Sequence, residues 1–251
     1  MANITASLVN ELRKRTGVGM MDCKKALVEC DGDMDKAIDY LREKGQKLAA
    51  KRADRDASEG AVLAAVNQDK TFAAVIMMNC ETDFVAKNDG FVDFAKSVLN
   101  AAIAAKAKDL QAVMSLTIDG VSVETMIIEQ VAKIGEKITL SHYLPIEAPA
   151  TYAYVHPGNR MASVVGLSKT GYDEEGKEMA MQVIAGRPVA LNKATVPAEV
   201  IEREMEVYRG QVREEGKPEN MVEKIAEGKL NKFFKESTLL SQEYTREALI
   251  I

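Results

Sequence analysis

The 251-residue chain has no tryptophan, two histidines, three cysteines and six prolines, and aromatic residues supply only 5% of it. Each scarcity excludes a class of protein. Cys23, Cys30 and Cys80 are odd in number and far apart, which speaks against a disulfide framework and for a reducing cytoplasm. His142 and His156 do not form a helical metal pair and no Cys-x-x-Cys occurs, so no structural zinc is expected. Neither a G-x-x-x-x-G-K-[ST] loop nor a strand followed by G-x-G-x-x-G is found, so no nucleotide cofactor is expected. No apolar run approaches the roughly 20 residues of a membrane helix, and the start, Met1-Ala2-Asn3-Ile4-Thr5, lacks the charged and apolar regions of a secretory signal. A net charge of -5 argues against the broad basic face that direct nucleic-acid binding needs. The expectation is a cytoplasmic protein, bound directly to neither membrane nor nucleic acid.

What is present is a 47% hydrophobic content built from small aliphatics and 13 methionines, enough for sizeable cores. Residues 1–55 read as three short amphipathic helices. Ile4, Leu8 and Leu12 recur at helical spacing after a Thr5 cap, and Thr16-Gly17-Val18-Gly19 breaks the helix. Met20, Cys23 and Leu27 line a second stripe, and Met34, Ala37, Ile38 and Leu41 a third, capped by Asp33. The stretch Arg42 to Glu59 is polar and reads as a helix fraying into a linker, its basic residues a solvated face.

From Gly60 the period changes to that of strands. Ala61 to Val66 and Thr71 to Met78 predict a hairpin, followed by helices over Asp89 to Ala105 and about Glu124 to Ile134, then a strand over Lys137 to Tyr143. A similar order recurs after residue 145, with a hairpin of Tyr152 to Val155 and Ala162 to Ser168 and a helix from about Asp173 to Gly186. The fold class expected is α+β, with core segments 56–144 and 145–196, the second completed by 236–251. Residues 197–235 form a segment of another kind. Ile201, Met205, Tyr208 and Val212 make one narrow seam, Glu215-Gly216-Lys217-Pro218 reverses the chain, and Met221, Ile225, Ala226, Leu230 and Phe233 make the answering seam. That pattern predicts an antiparallel helical hairpin, thin enough that it projects to meet something else.

The most informative segment is Asn79-Cys80-Glu81-Thr82-Asp83-Phe84-Val85-Ala86-Lys87-Asn88. An apolar strand ends there in a polar cluster, and a phenylalanine stands beside an aspartate at the mouth of the next helix. Such a phenylalanine either staples the helix start or inserts into another protein. A nucleophilic Cys80–His pair is a third reading, and it would need an orienting group.

Two long segments, Leu12-Arg13-Lys14-Arg15-Thr16-Gly17-Val18-Gly19-Met20-Met21-Asp22-Cys23-Lys24-Lys25-Ala26-Leu27 and Asn79 to Lys87, resemble the two signatures of bacterial elongation factor Ts. The similarity continues through Val131 to Glu136, the His156 to Arg160 turn, Gly216-Lys217-Pro218 and Glu227-Gly228-Lys229. The resemblance implies a translation elongation factor that is not an enzyme: a guanine nucleotide exchange factor for the GTPase elongation factor Tu. It implies that residues 1–55 are a ubiquitin-associated-like domain docking on the GTPase through Arg13, Thr16, Gly17, Val18, Gly19, Met20 and Met21. Two related α+β subdomains with antiparallel sheets would form the core, with His156 and Arg160 making a second contact. The hairpin 197–235 would be a dimerisation module. Thr82, Asp83, Phe84 and Val85 would enter the GTPase near its magnesium site, with Phe84 wedged between helices.

Two departures qualify the match. Met77 stands where the family usually has an acidic residue, which alters the strand end and not the Asp83-Phe84 pair. The family also normally continues past the hairpin with more structure than the chain has before Ile251, so a shortened protein is expected, its second sheet left with an unpaired edge. The competing reading is a non-catalytic adaptor, with a three-helix module, a dimerising hairpin and no exchange activity.

Overall fold

In the computed structural model, residues 4–245 are described, and the start at residues 1–3 and the end of the 236–251 complement lie outside them. The described chain divides into two compact units, one ending at Gly176 and the other starting at Lys177.

The first unit opens with α1 (Ala6–Thr16), α2 (Met20–Glu29) and α3 (Met34–Arg52). Thr5 caps α1, its hydroxyl accepting from Leu8 N–H at 3.3 Å. Gly17 ends the helix at φ +69°, a left-handed conformation that an L side chain resists, and its N–H donates to Arg13 O. Asp33 caps α3 through Asp35 and Lys36 N–H. The bundle closes on Val9, Leu12, Val18, Cys23, Ala26, Leu27, Ala37 and Leu41. Met20 departs from the expected stripe. It opens α2 on the solvent side, half exposed, and Ala26 completes the inward face with Cys23 and Leu27 at i, i+3, i+4. α3 stays helical through the polar stretch to Arg52, because Leu48 and Ala49 on its inner side pack against the neighbouring core.

The core sheet has strand order β1-β2-β5, all antiparallel, from β1 (Glu59–Val66), β2 (Phe72–Cys80) and β5 (Thr139–Glu147). Asn67 closes the β1–β2 turn, its side-chain oxygen accepting from Thr71 and Phe72 N–H. The one-turn helix α4 (Asp83–Ala86) leads into α5 (Asp89–Ala104), which lays Phe91, Phe94, Val98 and Ala102 on the sheet at the spacing the sequence predicts. Next come α6 (Leu110–Ser115) and the two-residue strands β3 (Thr117–Ile118) and β4 (Val121–Ser122), and α7 (Val123–Ile134) completes the layer over the sheet. α7 crosses α3 closely at Gly45, where a Cβ would stand 2.9 Å from Ala132 Cβ. The hairpin β6 (Ala150–Val155) and β7 (Ala162–Leu167) is tied to the first sheet by Thr151 N–H to Lys70 O and Val62 N–H to Asn159 O, both 2.7 Å. No third strand joins β6 and β7 among the described residues.

α8 (Asp173–Gly186) runs into the second unit, which contains α9 (Ala198–Glu214) and α10 (Glu219–Ser237). The two helices pair around the Glu215–Pro218 reversal, with Gly216 at φ +71°. The seam of α9 is buried at Met205 and Val212 as expected. That of α10 differs from expectation. Val222, Ala226 and Phe234 face inward, while Met221 is exposed and Phe233 only half-buried. Helical geometry accounts for it: 222, 226 and 234 share one stripe at steps of four and eight residues.

Candidate partner-binding site

The site begins where β2 runs out. Asn79 and Cys80, which read as part of the turn, belong to the strand. Asn79 is buried and fastens all three strands, its Nδ2 donating to Glu59 O and its Oδ1 accepting from Ser141 Oγ at 2.6 Å. Thr82 then takes the N-cap of α4, its hydroxyl accepting from Val85 N–H. Val85 turns inward against the sheet core. Phe84, one position earlier on the helix and about 100° around it, points the other way and is 83% exposed.

This geometry decides against stapling. A staple joins the residue before the N-cap to the fourth helical residue, here Glu81 and Ala86, and Phe84 occupies neither position. A phenylalanine left in water forgoes about 1.5–3 kcal/mol of burial, so the fold gains nothing from the ring at this place.

Two carboxylates hold the loop beneath the ring. Glu136, just after α7, accepts from Glu81 N–H (3.1 Å) and Thr82 N–H (3.0 Å) on Oε2 and from the Thr82 hydroxyl (2.7 Å) on Oε1. Glu81 accepts from Arg52 (2.6 Å), Arg55 (3.1 Å) and Lys137 N–H (2.6 Å). Burial raises the pKa of Glu81, but the Lys137 amide and the two guanidiniums prevail and bring it to about 2. Asp83 lies beside Phe84 and receives Lys87 Nζ at 2.6 Å. That hydrogen bond and charge hold its carboxyl below the ordinary range, and Arg160 adds to the effect from the β6–β7 turn. Arg160 itself reaches Glu59 at 2.9 Å, while His156 turns to the Tyr154 hydroxyl. The structure thus brings Thr82, Asp83, Phe84, Val85 and Arg160 together and gives His156 a local partner.

Cys80 is not a nucleophile here. Burial, with the Glu136 charge next, pushes its thiol up to about 11, and the thiol donates to Thr82 O instead of meeting a histidine. His142 is paired with Ser141 Oγ. Among the described residues no group of three His, Cys, Asp or Glu side chains could hold a metal ion, and no helix is long and apolar enough to cross a membrane.

The N-terminal set divides in two. Thr16 and Val18 shape the turn: the Thr16 hydroxyl donates to Leu12 O and accepts from Val18 N–H, and the Val18 side chain is buried. Gly17 and Gly19 form the exposed turn itself, while Arg13, Met20 and Met21 present side chains to solvent, Met21 at 76%. Val28, seven residues after Met21, extends the apolar surface and was not singled out in the sequence. The helical stripe that buries Cys23 and Leu27 leaves Met21 and Val28 outward, so the signal was there to find. Glu81 and Glu136 were missed for a different reason: their contacts join residues 26 to 56 apart in sequence.

Comparison with known proteins supplies the family. The profile described as Elongation factor TS matches residues 81–249, and that described as Elongation factor Ts, mitochondrial, N-terminal matches residues 1–49. The Elongation factor Ts of Christiangramia forsetii is 51% identical over 249 residues, covering 98% of this chain and 90% of the relative. That of Amoebophilus asiaticus is 48% identical over 247 residues, covering 97% and 89%. That of Flavobacterium psychrophilum is 45% identical over 250 residues, covering 99% and 90%.

Proposed function

The chain belongs to the elongation factor Ts family, and from that premise we propose that this translation elongation factor is the guanine nucleotide exchange factor of elongation factor Tu. It makes and breaks no covalent bond. It binds the GDP-loaded GTPase and inserts Asp83 and Phe84, flanked by Thr82 and Val85, near the magnesium ion that the partner and its nucleotide share. Magnesium bridges phosphate oxygens and side-chain ligands, so moving its supports weakens GDP binding. Binding is reciprocal: a factor that lowers the partner's affinity for GDP must bind the nucleotide-free partner more tightly by the same ratio.

The observation that carries this reading is Phe84, 83% exposed on a loop fastened by Glu81 and Glu136. A large apolar side chain held out rigidly suits a pocket on a partner, where a buried aromatic anchor contributes about 2 kcal/mol or more. The exposed Met20 and Met21 suit docking of the three-helix unit on the GTPase, with Arg13, Thr16, Gly17, Val18 and Gly19 setting that surface. Arg160, whose charge reaches Asp83 from its pair with Glu59, and His156 would contribute a second contact. The hairpin over 197–235 would serve self-association.

The test is stopped-flow release of fluorescent GDP from elongation factor Tu. The chain should accelerate release, and Phe84→Ala should slow the accelerated rate by about 30-fold, the rate equivalent of 2 kcal/mol, with thermal stability unchanged. Wild-type protein that leaves release at its spontaneous rate would overturn the proposal in favour of a non-catalytic adaptor.

A further inference from the structure

Resting on that reading, we infer that Glu136 is a positioning residue for the exchange site, its carboxylate acting as the template on which the Phe84 loop is set. Glu136 acts on Phe84 only through the backbone and side chain of the residues before it. Its two oxygens receive three donors from two consecutive residues: Glu81 N–H, Thr82 N–H and the Thr82 hydroxyl, at 2.7 to 3.1 Å. Two adjacent backbone amides converging on one oxygen fix the plane of the peptide between them. The hydroxyl on the other oxygen fixes the Thr82 rotamer, and with it the N-cap of α4. Because α4 is one turn long, it has no internal means of holding a direction. The direction of Phe84 is therefore set from outside, by a residue 52 positions away that Gly135, at φ +83°, turns out of the end of α7.

The second carboxylate shows that the arrangement runs in both directions. Glu81 from the loop accepts Lys137 N–H, the amide next to Glu136, while Glu136 accepts Glu81 N–H. The two segments are cross-paired, each side chain bound to the other's backbone. Arg52, the last residue of α3, shares Oε1 of Glu81 with the Lys137 amide, and Arg55 takes Oε2. The wedge is thereby referenced to α7 and to the end of the N-terminal bundle at once. A loop placed in advance loses less freedom on binding, and the gain falls on the step that requires the ring in place. Initial docking through Met20 and Met21 does not depend on it.

The experiment separates these two steps. GDP release from elongation factor Tu is measured at increasing concentrations of wild-type chain, Glu136→Ala and Glu136→Gln, giving a maximal rate and a half-saturating concentration for each. Glu136→Ala should lower the maximal rate by about tenfold, on the scale of misplacement effects at pre-organised sites, with the half-saturating concentration within about threefold of wild type. Glu136→Gln should restore most of the rate: its oxygen still takes both amides, and the Thr82 hydroxyl can rotate to accept from the amide nitrogen. In hydrogen exchange, Glu136→Ala should lose protection at Glu81 and Thr82 N–H and keep it along β2. If Glu136→Ala does not fold, Glu136→Asp, too short to span all three donors, replaces it with the same expected loss of maximal rate. An unchanged maximal rate in the folded variant, or an equal loss in Glu136→Gln, overturns the inference. An inactive wild-type chain overturns the exchange reading itself.

Discussion

Two phenylalanines show how differently the same side chain is used in two regions of this chain. Phe234 in α10 is 5% exposed, packed in the hairpin seam beside Phe233 and under Lys193, whose ammonium stands 4.8 Å from the ring centroid. Phe84 is exposed, and the protein invests its hydrogen bonds in the loop beneath it. In the hairpin, burial creates order and polar groups decorate it. In the loop, polar groups create the order and the apolar ring is left free for a partner. The first arrangement serves stability and the second serves recognition.

The largest expected effect breaks that contrast from the stability side. Phe234→Ala removes a buried ring and should cost about 3–5 kcal/mol, read as a loss of cooperative unfolding of the hairpin in urea. Phe84→Ala, the same change at the exposed site, should shift the midpoint by less than about 0.5 kcal/mol while lowering exchange. Equal destabilisation by the two variants would mean that Phe84 is packed in solution and is no wedge.

Legibility in the sequence follows the same division. Where burial sets the structure, period alone sufficed: α5 begins at the expected residue, with all four named side chains inward, because a long amphipathic stripe has one way to meet a sheet. The α10 seam shows the margin of error, since Met221 and Val222 are both apolar and only the partner helix decides between them. α6, β3 and β4 escaped notice because elements of two to six residues carry too few positions for a period to appear. The Asp83-Phe84 pair stood out as an anomaly, a ring with no place in the local pattern. Its support was illegible, since nothing local tells Glu81 or Glu136 apart from the other carboxylates of the chain.

A middle-sized effect tests whether charge really orders the loop. Glu81 has its pKa brought down to about 2 by Lys137 N–H, Arg52 and Arg55 against burial. A depressed folded-state pKa stabilises the protein above the unfolded value, near 4.3, and that contribution is lost as pH falls through the folded value. Glu81→Gln should therefore be less stable than wild type at pH 6, and the gap should narrow between about pH 4.5 and pH 2. Paired urea titrations across that range measure it. A gap that is constant with pH would show that Glu81 acts through shape and not charge.

The smallest effect is expected at the exposed ion pairs of the hairpin. Across the hairpin reversal Arg213 holds Glu219 at 2.7 Å, Arg209 holds Glu223 at 2.6 Å and Lys229 holds Glu215 at 2.7 Å. Their geometry rivals that of the Glu81 cluster, and in the Arg213–Glu219 pair hydrogen bonding and charge raise the arginine pKa and lower that of the glutamate. The difference is water. Arg213 and Glu219 are both largely exposed, whereas Glu81 is 14% exposed. Exposed pairs lose their Coulomb gain to solvent and to side-chain ordering. Arg213→Ala should leave the melting temperature within about 2 °C of wild type, at low and high salt alike. A loss of stability as large as that of Glu81→Gln at pH 6 would erase the distinction between the two regions, because an exposed pair would then hold structure as firmly as the cluster under Phe84.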